Sequence, residues 1–66
     1  MILWTIYKHP RDFPKDYVAR QFINDEPTQI TFVADSYEKI IRKIPPGMIR
    51  MPRSPFDSPP IVETWI

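Results

Sequence analysis

The side chains that could support catalysis are few. The chain has 66 residues, with one histidine, three serines and no cysteine. A nucleophilic mechanism needs a base beside the nucleophile and a third group that orients the base, so any such set would have to include His9. His9 precedes Pro10 in a charged segment, where a solvated turn residue is the better interpretation. We therefore predict that the protein is not an enzyme.

The carboxylates form no recognisable acid–base pair or metal site. Asp12 and Asp16 are the closest pair, but Arg11 and Lys15 lie beside them, which indicates a surface charge pattern. Calcium loops place their oxygen ligands at regular spacing, and the acidic residues of this chain do not follow it. With a single glycine, a glycine-rich phosphate loop is also excluded. We expect no metal, no cofactor and no small-molecule substrate.

A basic segment offers binding chemistry instead. The formal net charge is only +1, yet residues 39–53 contain five basic residues and no acidic one. Such a segment attracts a phosphate backbone, but lysine and arginine near a helix end also form an ordinary solvated face. A pI near 8.1 is modest for a dedicated nucleic-acid binder. Nucleic acid is therefore the alternative partner, bound through Lys39, Arg42, Lys43, Arg50 and Arg53.

The proline-rich arm, residues 45–60, carries the strongest signal for protein recognition. It holds six of the nine prolines and mixes methionine, isoleucine and phenylalanine with two arginines. Methionine, arginine and aromatic residues are enriched in interface cores, and a proline-stiffened segment loses little entropy on docking. At least one of Met48, Ile49 and Met51 should complete the core. The candidate binding residues are Lys39, Arg42, Lys43, Met48, Arg50, Met51, Arg53 and Phe56.

These residues must be positioned by strands, because side-chain character alternates along most of the chain with the two-residue period of a β-strand. Residues 1–7, 17–23, 28–34 and 61–66 are each predicted to form a strand from their alternation and their β-branched or aromatic content. Residues 8–16 carry two prolines among charges and form a loop. Asn24, Asp25, Glu26 and Pro27 supply turn chemistry.

One helix is predicted between the third strand and the arm. Residues 35–38 have the spacing of a capping box with Glu38 reaching back. Tyr37, Ile40, Ile41 and Ile44 then fall on one helical stripe, and two consecutive prolines end the helix at residue 45. The predicted length is three turns or fewer.

The predicted architecture is one small α+β domain, in which one helix covers one face of a mainly antiparallel sheet of three or four strands. A chain of this size buries only about 60% of its unfolded surface, so we expect added stability from a protein partner or self-association. No apolar run approaches the roughly 18 residues of a membrane span, and the first residues lack a signal-peptide pattern. We expect a cytoplasmic protein with no membrane partner.

Several motifs together resemble a known family. They are Ile6-Tyr7 before a proline loop, residues 16–20, Ala34-Asp35-Ser36, Ile44-Pro45-Pro46-Gly47, Pro52-Arg53-Ser54-Pro55, Asp57 and residues 61–66. The pattern is similar to a family of short bacterial proteins without an assigned activity, many of them carried by phages and prophages. The resemblance implies a bacterial or phage-infected cell and no particular site residue. The leading hypothesis is a non-enzymatic protein-interaction module, a modulator or inhibitor of host machinery, acting through residues 48–56 and the adjoining helix face.

Overall fold

A computed structural model of the protein describes residues 1–52 and 60–66. Two of the predicted binding residues, Arg53 and Phe56, lie outside these described residues. The elements in chain order are β1 (Ile2–Lys8), β2 (Tyr17–Ile23), β3 (Glu26–Ala34), α1 (Tyr37–Ile41), β4 (Arg50–Pro52) and β5 (Ile61–Trp65).

The five strands form one sheet in the order β3-β2-β1-β5-β4, and each neighbouring pair is antiparallel. The predicted class, an α+β domain with three or four strands and a helix on one face, is wrong. The chain is mainly β, and the one helix in the described residues has five residues. The unpredicted strand is β4, whose three residues lie inside the proline-rich arm and end in a proline.

Alternation in the strands gives the sheet two different faces. Trp4 and Ile6 of β1 point to the face that contacts α1, called here the helix face, and they are buried with Ala19, Ile40 and Ile44. The intervening β1 residues point to the opposite face, called the second face. β1 is the central strand, which explains why residues of both parities, Trp4 and Thr5 among them, are buried.

The turns follow from local chemistry. Asn24 and Asp25 have φ values of 50° and 69° and connect β2 to β3 as a two-residue hairpin turn. A turn is predicted here, but Glu26 and Pro27, which are included in it, belong to β3. β3 then passes through Pro27, which an edge strand tolerates because its outer amide needs no partner.

Helix α1 begins with Ser36 as its N-cap, whose Oγ accepts a hydrogen bond from the Lys39 amide at 3.3 Å. The residue three positions after the cap is therefore Lys39, so Glu38 does not complete a capping box. The helix ends at Ile41. No helix in the described ranges is long and apolar enough to cross a membrane.

Candidate interaction surface

A buried carboxylate, Glu63, joins three elements of the fold. Glu63 lies in β5 and its side chain is 1% exposed. Its Oε1 accepts hydrogen bonds from Tyr37 Oη at 2.7 Å and Arg50 Nε at 2.9 Å. Its Oε2 accepts from Tyr37 Oη at 2.8 Å and from the Trp65 indole Nε1. We call these four residues the Glu63 cluster.

The sheet register brings the cluster together. Arg50 of β4 pairs with Trp65 of β5, and Pro52 pairs with Glu63, so Arg50 lies diagonally beside the carboxylate on the helix face. Trp65 is two residues from Glu63 on the same strand and therefore on the same face. Tyr37, the first residue of α1, reaches the carboxylate from above the sheet. One buried charge thus links α1, β5 and the edge strand β4.

The Glu63 carboxylate favours the protonated forms of two of its donors, Tyr37 and Arg50. Burial, followed by the hydrogen bond and the charge of the Glu63 carboxylate, raises the pKa of Tyr37 above its usual value of 10.0. The hydrogen bond and charge of the same carboxylate raise the pKa of the Arg50 guanidinium. A buried carboxylate is stable only with such partners.

The arrangement suits Glu63 to holding structure and not to acting as a general base. A general base must reach the proton that it removes. Both Glu63 oxygens are occupied by donors and the side chain is buried. Within residues 1–52 and 60–66, no three histidine, aspartate or glutamate side chains come together as a metal site requires. What the cluster does is fix β4 against β5 and α1.

On the other side of β4 lies an exposed apolar strip. Ile49 and Ile66 bond to each other through their main chains, and Met51 pairs with Thr64, so these side chains share the second face. The side chains of Ile49, Met51 and Ile66 are 66%, 44% and 40% exposed. We call these three residues the edge patch. Contiguous exposed apolar residues often mark an interaction site, whereas single ones do not.

The other predicted binding residues of the described chain are dispersed. Lys39, Arg42 and Lys43 are exposed around the end of α1. The Lys39 Nζ lies 3.0 Å from an Asp35 carboxylate oxygen. Met48 is half-buried against the core, as expected for at least one of the three apolar residues of the arm.

Two residues of the basic segment, Lys43 and Arg50, lie near opposite edges of the sheet. Lys43 lies over the ring of Phe32 in β3, with Nζ 6.0 Å from the ring centroid. Arg50 lies in β4, at the opposite edge of the sheet. Four strand spacings of about 4.8 Å separate these edges by roughly 19 Å. The nucleic-acid hypothesis stays a prediction, without support from the placement of these residues.

Sequence reasoning missed the residue that organises the site. Glu63 is the single charge in an otherwise uncharged and mostly apolar strand, Ile61-Val62-Glu63-Thr64-Trp65. A charge at a core-facing position needs a partner, but the sequence alone does not identify Arg50 as that partner. Comparison of the chain with protein-family models, curated proteins and solved structures found no match. The resemblance to phage-borne proteins therefore also stays a prediction.

Proposed function

We propose that this protein is a non-enzymatic protein-interaction module that binds its partner through the edge patch. The observation that supports the proposal is the exposure of three adjacent apolar side chains, Ile49, Met51 and Ile66. In line with the resemblance described above, the role that we propose is that of a modulator or inhibitor of the partner.

The edge patch is held in place before any partner arrives. Arg50 lies between Ile49 and Met51 in the chain, and its side chain is bonded to the buried Glu63 carboxylate on the opposite face. A strand that is already ordered loses less entropy on binding, which favours affinity. The Glu63 cluster therefore serves recognition indirectly, by fixing the strand that carries the patch.

Recognition through side chains fits this edge better than strand addition does. Ile49 exchanges main-chain hydrogen bonds with Ile66, so the next residue, Arg50, directs its own amide and carbonyl away from β5. Pro52, the next outward-facing residue, has no amide hydrogen. Short edge strands that contain proline resist pairing with another strand.

A different protein fits the patch better than a second copy. The edge patch and Arg20 lie on the same face of the sheet. A two-fold contact centred on the middle of this face would bring the two Arg20 side chains into one interface. Like charges in one interface oppose association.

A photocrosslinking residue at position 51 tests the proposal. Benzoylphenylalanine replaces Met51 in one variant and Ile30 in a matched control, since Ile30 is 48% exposed at the other edge of the sheet. After irradiation in bacterial lysate, we expect position 51 to yield an adduct of one defined mass that position 30 does not yield. The same adducts from both positions, no adduct, or an adduct of twice the mass of this chain would contradict the proposal.

A further inference from the structure

A cleft lies between the first loop (residues 9–16) and the second face of the sheet. Its volume is about 210 Å³, and strand residues Tyr7, Val18, Arg20 and Thr31 form its floor. The register places Tyr7 beside Val18 and Arg20 beside Thr31. Sites for drug-sized ligands measure roughly 300–1,000 Å³, so this cleft accommodates about one side chain.

The wall of the cleft is contributed by Pro10, Asp12 and Phe13. Consecutive turns shape it, with the Phe13 amide bonded to the Pro10 carbonyl at 2.9 Å and the Asp16 amide bonded to the Phe13 carbonyl at 3.1 Å. A third bond, from the His9 amide to the Asp16 carbonyl at 2.9 Å, closes the base of the loop. Phe13 is thereby held beside the cleft with 40% of its surface exposed.

The cation in this cleft is Arg20. Its neighbours across the sheet are two threonines, Thr5 and Thr31. The ion pairs within the described parts of the chain are those of Lys39 with Asp35 and Arg50 with Glu63. Asp12 lines the same cleft without lying within 4.0 Å of the Arg20 guanidinium. Arg20 is therefore an exposed guanidinium among apolar and hydroxyl groups, with the Asp12 carboxylate in the same cleft but beyond ion-pair distance.

A single row of side chains connects this cleft to the edge patch. Met51 pairs with Thr64, Thr64 with Thr5, Thr5 with Arg20, and Arg20 with Thr31. Three strand spacings, roughly 14 Å, separate Met51 from Arg20. Thr5 in this row is buried, so a protein surface on the edge patch reaches Arg20 by extending over Thr5 from Thr64.

We infer that the cleft receives a carboxylate of the partner protein that is carried next to an apolar side chain. Arg20 binds the carboxylate through its planar guanidinium, and Tyr7, Val18 and Phe13 contact the apolar group. The inference rests on the proposed function, since it names the partner chemistry at the same face of the sheet.

A polypeptide carboxylate fits this cleft better than a nucleic-acid phosphate. The cleft contains one cation and one acidic residue, Asp12, whereas phosphate backbones are bound by several cations together. The apolar wall also has no role in contacting a phosphate chain. A carboxylate carried next to one apolar side chain matches both parts of the cleft.

The test is an NMR titration of the wild-type protein with N-acetyl-L-leucine, compared with the neutral N-acetyl-L-leucinamide. We expect the acid to shift the amide signals of Phe13, Arg20 and Thr31 with a dissociation constant in the roughly millimolar range. The acid should bind about tenfold more tightly than the amide. Arg20→Gln should abolish this preference, and Asp12→Asn should strengthen binding of the acid by removing a like charge.

Three results would overturn the inference. They are equal binding of acid and amide, unchanged preference in Arg20→Gln, and tighter binding of inorganic phosphate than of the acid at the same amides. Arg20→Gln must melt like the wild type, and Arg20→Lys, which keeps the charge, should retain part of the preference. If crosslinking at position 51 succeeds while this titration fails, only the carboxylate inference falls. If position 51 gives no adduct, the proposed function falls.

Discussion

Glu63 satisfies three different donors with two oxygens, and an amide at this position cannot do so. In Glu63→Gln, the amide NH₂ would face groups that themselves donate, and the Arg50 charge would lose its counter-charge. We expect the free energy of unfolding to fall by about 2 to 4 kcal/mol, as for lost hydrogen bonds to a buried charge. Urea denaturation measures it, with the exposed Glu26→Gln as control. A Glu63→Gln protein as stable as this control would show that the cluster does not hold the fold.

Tyr37 gives the cluster a pH dependence that can be measured. Its pKa in the folded protein is raised above 10.0 by burial and by the Glu63 carboxylate. The resulting stabilisation is complete below the pKa of an unfolded tyrosine, about 10, and is lost as the pH rises through the higher folded value. The free energy of unfolding should therefore fall more steeply above pH 10 in the wild type than in Tyr37→Phe. Identical slopes in urea denaturation between pH 8 and 12 would contradict this assignment.

At the scale of elements, the helix is a short segment whose buried side chains matter more than its length. Ile40 is fully buried and Ile44 nearly so. Ile40→Ala should cost about 2 to 5 kcal/mol through lost burial and a residual cavity. A 66-residue chain has a total stability of only about 3 to 10 kcal/mol, so this change brings it near unfolding. The matched change Lys39→Ala should cost less than about 0.5 kcal/mol, and equal thermal melts would show that Ile40 is not a core residue.

The extent of each element shows what pattern reasoning can predict. The alternation of residues 1–7, 17–23, 28–34 and 61–66 located β1, β2, β3 and β5, because burial of one face imposes a period of two. The isoleucine stripe located the buried residues of the helix but overstated its length. If the helix continued to Pro45, the proline ring would clash with the carbonyl of Ile41, four residues earlier. Helix α1 ends at Ile41. Ile44 stays buried after the α-helical hydrogen bonding has stopped.

The remaining element and the site depend on contacts between distant parts of the chain. β4 has three residues including a proline, and it becomes a strand only by pairing with β5. The Glu63 cluster combines Tyr37, Arg50 and Trp65 from three elements. Arg50 was predicted as a binding residue from its type alone, and only the register of β4 on β5 reveals its pairing with Glu63.

At the scale of the whole molecule, the two faces of the sheet have different roles at the β4 edge. The helix face carries the Glu63 cluster, which fixes the strand, and the second face carries the edge patch, which is left for contact. The exposed apolar side chains of this patch are stabilising only when something covers them. An added charge at the patch should therefore disrupt association while the fold persists.

The measurement that tests this claim most directly is the affinity of the crosslinked partner for two matched variants. Met51→Glu places a charge in the edge patch, and Ile30→Glu makes the same chemical change at a similarly exposed site of the other edge strand. By isothermal titration calorimetry, Met51→Glu should weaken binding at least about tenfold, as loss of an interface residue worth about 1.4 kcal/mol or more does. Ile30→Glu should bind within about twofold of the wild type. Equal affinities of the two variants, with both folded, would contradict the assignment of the edge patch as the binding surface.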